Sequence, residues 1–259
     1  MARHVALITG ASSGIGAEFA RQLAARGLDL VLVARDEARL SALAAELREE
    51  HGVTAEVMPA DLVDDTQRRV VEQRLRAGVD FLVNNAGFGN HGDFVDLDIE
   101  AEDAEVRLNV LAVVRLTHAA LAPMIDRGKG AVVNVSSVAG LVPGLPNPTY
   151  GASKAFVTSF SESLHEQMRP HGVRVMALCP GYTHTEFHAR AGIDTSSSPD
   201  LLWLDVEDVV RAALKDLAAG RAVSVPGAVY KAITVLTRLA PRSLARRTAG
   251  RLRRGAMKV

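Results

Sequence analysis

The chain has one cysteine, Cys179, among 259 residues. An internal disulfide is therefore excluded, and a reducing compartment is expected, with the protein placed in the cytoplasm. Aromatic residues make up only 4%, while hydrophobic residues as a whole make up 48%. The core must then be mostly aliphatic, as in a parallel sheet covered by helices. Net charge is also absent, because 30 basic residues balance 30 acidic ones. That leaves no overall electrostatic footprint for nucleic acid. No apolar run approaches the ~20 residues that a transmembrane helix needs. The eight histidines show no metal-ligand spacing, so no metal is expected. Met1-Ala2-Arg3-His4 runs straight into an apolar strand ending in Thr9-Gly10, and reads as part of the fold rather than as a signal peptide.

The chain does show alternation. Short aliphatic runs predict strands at Val5–Thr9, Asp29–Ala34, Val53–Pro59, Asp80–Asn84, Ala131–Ser136, Arg174–Cys179 and Ala222–Val225. Between them, amphipathic runs predict helices at Gly14–Arg26, Glu37–His51, Thr66–Arg76, Ala101–Arg127, Tyr150–Met168 and Val206–Ala219. This pattern predicts an α/β fold with a parallel sheet and helices on both faces. No linker or repeat divides residues 1–259, which read as a single domain. The Ser/Pro-rich stretch Thr195–Pro199 reads as a loop between elements.

Gly10, Ala11, Ser12, Ser13, Gly14, Ile15 and Gly16 join the first strand to the first helix. Gly10 allows a sharp turn, and Gly14 and Gly16 remove side chains where a backbone would approach a pyrophosphate and where helix packs on strand. The helix start then offers unpaired N–H groups and partial positive charge to phosphates. A tight turn with no ligand is the structural alternative. The next strand ends at Ala34 and is followed by Arg35. An acidic residue there would hold the ribose 2′-hydroxyl of NAD, whereas an arginine meets the 2′-phosphate of NADP. Arg39, one helical turn on, is a second candidate cation, and Asp36 between them complicates the assignment. The alternative is a solvent-facing Arg-Asp pair at a helix start.

Tyr150 and Lys154 stand four residues apart, on one face of a helix. A nearby ammonium favours phenolate, so the lysine is expected to lower the tyrosine pKa and fit it for proton transfer. A serine, Ser137, precedes the tyrosine by thirteen residues.

Together these residues closely resemble the short-chain dehydrogenase/reductase family. The resemblance rests on Thr9–Gly16 (TGxxxGxG), Asp61-Leu62, Asn84-Asn85-Ala86-Gly87, Asn109, Ser136-Ser137, Tyr150–Lys154 (YxASK) and Pro180-Gly181, with Thr183 and Thr185 beyond. It implies a doubly wound Rossmann-type sheet, a nicotinamide cofactor with NADP(H) favoured over NAD(H), and alcohol/carbonyl chemistry. Phe88-Gly89 and Thr185-Glu186-Phe187 point to a broad bacterial subgroup of NADP-linked reductases. By this resemblance Tyr150 is the proton donor, Ser137 steadies the substrate oxygen, Lys154 holds the nicotinamide ribose, and Asn109 anchors a water by distorting its helix. Asn85 and Thr183 are expected at the ribose and the nicotinamide amide, and Asp61 and Leu62 at the adenine. Phe88, Phe94, Leu141, Val142, Leu145 and Phe187 suggest a hydrophobic substrate. His91 and His184 lie near the expected pocket. Trp203 is read as packing a lid helix, and Cys179 as a buried strand-end residue. A homodimer or homotetramer is expected through the helices carrying Asn109 and Tyr150. A non-catalytic nucleotide sensor is the alternative of a different class.

The tail is strongly basic. Arg238, Arg242, Arg246, Arg247, Arg251, Arg253, Arg254 and Lys258 are accompanied by no acid, so residues 1–237 carry about −8 and the tail about +8. Tyr230–Ala240 has helical apolar spacing, Pro241 breaks it, and Arg242–Arg254 resumes it. The open readings are a solvated or oligomer-facing helix, peripheral contact with the anionic inner membrane surface, and an acidic ligand or partner. The membrane version implies a reductase of 3-oxoacyl or steroid-like lipids.

Overall fold

A computed structural model of the chain describes residues 4–142, 148–187 and 199–239. The apolar runs form one seven-stranded parallel sheet in the order β3-β2-β1-β4-β5-β6-β7. The strands are β1 (Val5–Thr9), β2 (Asp29–Ala34), β3 (Ala55–Pro59), β4 (Phe81–Asn84), β5 (Gly130–Val135), β6 (Val173–Leu178) and β7 (Val223–Ser224). The helices are α1 (Gly14–Ala24), α2 (Glu37–His51), α3 (Asp65–Arg76), α4 (Ile99–Val106), α5 (Val113–Asp126), α6 (Pro148–Met168), α7 (Val206–Ala218) and α8 (Ala228–Leu239).

Side chains alternate across each strand, so a strand buried on both faces must be apolar throughout. Along β1, Ala6 and Ile8 join one core with α1, α2 and α7, through Phe19, Leu40 and Val210. Leu7 between them joins the opposite core with α3 and α5, through Leu75 and Leu116. Each of the larger side chains among these, the leucines, isoleucine, valine and phenylalanine, contributes about 1.5–3 kcal/mol on burial.

Most boundaries fall within two residues of those the sequence predicts. The strand expected from Val53 begins at Ala55, because Gly52 ends α2 in the left-handed conformation (φ 61) and Thr54 N–H is held by Asp29 Oδ1 at 2.7 Å. Helix α6 starts at Pro148, whose fixed φ suits a first helical turn. The long helix runs from Ile99 to Asp126, with Arg107–Ala112 wound as a π-helix between α4 and α5.

That long helix departs from one expectation. It has 28 residues, and an 18-residue window within it reaches a mean hydropathy of 1.5, so by length and composition alone it could cross a membrane. Its residues Ala112, Leu116, Ala119, Ala120 and Met124 instead pack on the sheet with Leu82 and Val132. The expected helix over Arg242–Arg254, residue Leu145 and most of the Thr195–Pro199 loop lie outside the described residues.

Candidate active site

Strand order reverses between β1 and β4: from β1 the sheet runs to β2 and β3, and from β4 to β5 and β6. Loops leaving the C-terminal ends of such a pair diverge and leave a crevice. Here the crevice is a cavity of about 1020 Å³.

At one end lies the glycine turn. Gly10 has φ +65, and a Cβ on it would come within 2.7 Å of Asn85 Nδ2. A Cβ on Gly16 would lie 2.2 Å from Gly10 O, so the turn closes on itself only with glycine at both positions. Ser13, at the N-cap of α1, makes no capping hydrogen bond. The first N–H groups of α1 therefore stay available to an anion, and this donor set fits a cofactor pyrophosphate. Gly10, Ser12, Ser13, Gly14 and Ile15 line the cavity, while Gly16 lies beneath the turn.

The turn is stitched to the loop after β4. Thr9 Oγ1 accepts the N–H groups of Asn85 and Ala86, each at 3.0 Å. Asn85 Nδ2 donates to Thr9 O and Gly10 O at 3.0 and 3.1 Å. The Asn85 amide nitrogen thus braces the turn, a structural role beyond the ribose contact expected from the sequence.

Arg35 is exposed at the rim, beside Asp61 and Leu62. Asp36 is a helix cap: its Oδ1 accepts Arg39 N–H at 3.0 Å at the start of α2. Arg39 departs from expectation. It does not line the cavity, and its Nη1 pairs with both carboxylate oxygens of Glu186 at 3.0 and 2.8 Å. Asp61 shapes a local turn, its Oδ1 accepting Val63 N–H at 2.9 Å and its own N–H donating to Gln67 at 2.8 Å.

The other end holds Ser137, Tyr150 and Lys154. Ser137 follows β5 and hydrogen-bonds Tyr150. The neighbouring Ser136 points away, buried, with its hydroxyl donating to Lys154 O at 2.7 Å. Lys154 Nζ donates to Val135 O at 3.0 Å and lies 5.6 Å from the centre of the Tyr150 ring. The two side chains share a helix face as predicted, yet the phenol is not acidified. Burial pushes its pKa well above the ordinary tyrosine value; the Ser137 hydrogen bond opposes this and the charge of Glu105 adds to it. Burial also pulls the Lys154 ammonium down to about 8. Desolvation outweighs the attraction of a partner at this separation. Tyr150 consequently holds its proton at neutral pH, the form able to donate.

Asn109 sits in the π-helical segment, 1% exposed, behind the cavity wall. Its Nδ2 donates to Phe88 O at 2.8 Å and Ser153 Oγ at 3.2 Å, and its Oδ1 accepts Phe88 N–H at 3.2 Å. A Cβ on Gly87 would lie 2.9 Å from Asn109 Oδ1 and 3.3 Å from Lys154 Nζ, so Gly87 lets the two residues approach. Thr183 lines the cavity, but its hydroxyl donates to Gly181 O at 3.0 Å and leaves the facing contact to backbone.

Among the apolar candidates, Phe88, Val142 and Phe187 line the cavity, and Phe187 packs 5.6 Å from Tyr150. Phe94 does not; it is 52% exposed and lines a separate groove with Val106 and Phe156. His91 reaches the cavity. His184 instead stacks on Trp203 at 4.8 Å, and Trp203 also packs on Tyr182. Cys179 is fully buried, its thiol pushed up to about 11 by burial.

Tyr230 is a lining residue that sequence reasoning placed in the tail. Its hydroxyl accepts Tyr182 N–H at 2.9 Å and donates to Leu202 O at 2.7 Å. Its sequence signal is the spacing of a tyrosine four residues before Thr234, both of them buried on α8.

The short chain dehydrogenase family model matches residues 4–195. A short-chain dehydrogenase from Sphingobium yanoikuyae in complex with NADPH is 40% identical, with a TM-score of 0.83 over 92% of this chain and 96% of that one. The bulky-bulky ketone specific alcohol dehydrogenase from Comamonas testosteroni is 38% identical, with a TM-score of 0.79 over 92% and 95%. A very-long-chain 3-oxoacyl-CoA reductase from Anas platyrhynchos is 34% identical over 219 residues, 81% of this chain and 67% of that protein. The chain belongs to the short-chain dehydrogenase/reductase family, oxidoreductases acting on CH–OH and C=O groups with a nicotinamide cofactor.

Proposed function

We propose that this protein interconverts a carbonyl and a secondary alcohol on a hydrophobic small molecule, with NADP(H) in preference to NAD(H). The observation that carries the reading is the meeting of Ser137 and Tyr150 at one end of a cavity whose other end offers an uncapped helix and Arg35. The nicotinamide, when bound, supplies or accepts the hydride. Tyr150, protonated at neutral pH, donates its phenolic proton to the carbonyl oxygen. Ser137 donates a hydrogen bond to that same oxygen and steadies the developing charge, a role worth about 3 kcal/mol. Lys154 holds the ribose hydroxyls. Asn109 keeps the Phe88 backbone, and with it the cavity wall, in register.

Arg35 at the rim supports NADP(H), and so does the NADPH bound by the Sphingobium relative. Phe88, Val142, Phe187 and Tyr230 favour an apolar substrate. The outward groove of Phe94, Val106 and Phe156 supports a homodimer or homotetramer through the long helices. The single cysteine, which can form no internal disulfide, is in keeping with a cytoplasmic location.

The Tyr150→Phe variant tests the chemistry. It should bind NADPH with near wild-type affinity by fluorescence titration and turn over no carbonyl from an aryl and aliphatic ketone panel. Substantial residual turnover would refute Tyr150 as the donor.

A second reading is favoured by α8. Its inward face is Tyr230 and Thr234, whereas Ile233, Val235 and Leu236 face outward at 36%, 56% and 65% exposure, ahead of the arginine-rich tail. Such a face beside the cavity suits a reductase of 3-oxoacyl or steroid-like lipids working at an anionic membrane surface. Salt-sensitive co-sedimentation with anionic vesicles would support it, and no binding would remove it.

A further inference from the structure

Two of the buried carboxyl groups that have no role above stand behind the cavity wall. Glu102 and Glu105, on α4, are 5% and 1% exposed. A single asparagine ties them to the cavity wall. Asn90 Nδ2 donates to Glu102 Oε1 at 2.8 Å and to Glu105 Oε2 at 3.3 Å, and Asn90 N–H donates to Glu105 Oε2 at 3.0 Å. Glu102 also accepts the hydroxyl of Thr149, the residue before Tyr150. The pair thereby braces the 87–90 loop against the start of α6.

Glu105 does more than brace. It precedes Asn109 by one helical turn and directs its charge at both Lys154 and Tyr150. Its second oxygen, Oε1, is buried with no hydrogen-bond partner among the described residues. An ionised carboxylate with one bare oxygen is disfavoured, and burial with the nearby Glu102 lifts this group to about 7, against the Asn90 hydrogen bond and the Lys154 charge. The charged or titratable groups that act on it are Glu102 from its own helix and Tyr150 and Lys154 from α6; the 87–90 loop presents only the uncharged Asn90. So a carboxyl that changes charge near neutrality stands behind the floor of the cavity.

We propose that Glu105 is a positioning residue whose buried carboxyl sets the charge felt by Lys154 and Tyr150, and through them the pH range in which the site works. The proposal rests on the reading of Tyr150 and Lys154 as the reacting pair. Negative charge on Glu105 favours the Lys154 ammonium and disfavours the Tyr150 phenolate. Its removal lowers the pKa of both groups, so in an alcohol-oxidation profile phenolate formation and ammonium loss both move to lower pH.

The test uses the chain's five lysines. Protein labelled with ¹³C at the lysine ε-carbon is titrated by NMR without cofactor or substrate, and Lys154→Arg assigns the signal. In wild type the Lys154 midpoint should lie near 8. In Glu105→Gln it should fall by about one unit, and Glu105→Asp, which disturbs packing but keeps the charge, should restore most of the shift. If Glu105→Gln does not fold, Glu105→Met serves as the uncharged variant. An unchanged Lys154 midpoint in the uncharged variant overturns the proposal. The pH profile of secondary-alcohol oxidation with NADP⁺ is then read on the same proteins. A midpoint shift with no turnover of any panel alcohol or ketone upholds the tuning and sinks the proposed hydrophobic alcohol or ketone substrate; a midpoint shift with an unmoved profile overturns the proposal's functional half.

Discussion

Asn109 grips the backbone of Phe88 at both ends, its amide accepting the Phe88 N–H at 3.2 Å and donating to the Phe88 carbonyl at 2.8 Å. The grip is possible because the helix carrying Asn109 is locally π-wound, a device often found at functional sites. It joins the long helix to the loop that passes Lys154 and Tyr150.

Asn109→Ala should therefore leave both Phe88 backbone groups without this partner, while Ser153 keeps its bond to the Tyr150 carbonyl. We expect a loss of about 2–4 kcal/mol in stability, measured by urea unfolding, together with a fall in kcat of tenfold or more and little change in NADPH affinity. A variant that keeps full kcat would show that the Phe88 register does not matter to the chemistry.

Cofactor choice should respond to the rim. Arg35→Asp is expected to weaken NADPH far more than NADH; equal loss for both would sink the 2′-phosphate assignment. Glu186→Gln releases Arg39 from an exposed ion pair now closed at 2.8 Å. Since such exposed pairs contribute little, NADPH should bind about two- to fivefold more tightly if Arg39 then turns to the phosphate, with NADH unaffected. Fluorescence titration reads both variants.

Stability should carry a signature of Glu105. Its pKa is about 7 in the folded chain against 4.5 ordinarily. Between those values the folded protein holds a proton that the unfolded chain has released, so stability falls as pH rises through the window. The full cost, about 3 kcal/mol, is present above pH 7. Glu105→Gln lacks this term, so its stability relative to wild type should rise between pH 5 and 8. Urea midpoints at the two pH values check this, and a pH-independent difference would count against it.

Association should depend on the outward groove. Phe156 is 42% exposed and lies with Phe94 and Val106 around a hollow of about 470 Å³. Phe156→Asp should convert the assembly to monomers in light-scattering chromatography. A wild type that is already monomeric would remove the expectation.

The sequence by itself determined the architecture and offered the candidate residues for the chemistry. Aliphatic runs of strand length, broken by helical periodicity, admit few arrangements other than a covered parallel sheet. The glycine turn, Ser137 and the Tyr150/Lys154 spacing are local patterns, legible without a fold. Asp36 and Arg39 were legible as residues but not as partners, because helix capping of α2 and the reach to Glu186, 147 residues away, depend on which loops the sheet brings together. Asn90 and Glu105 left no local signal and Tyr230 only its spacing to Thr234; they reach the site only because α8 packs under Gly181 and α4 packs against α6. Tertiary structure likewise decided the ionisation of the central pair. Sequence spacing gives the distance between a phenol and an ammonium along a helix, but burial sets their pKa values, and burial is a property of everything packed around them.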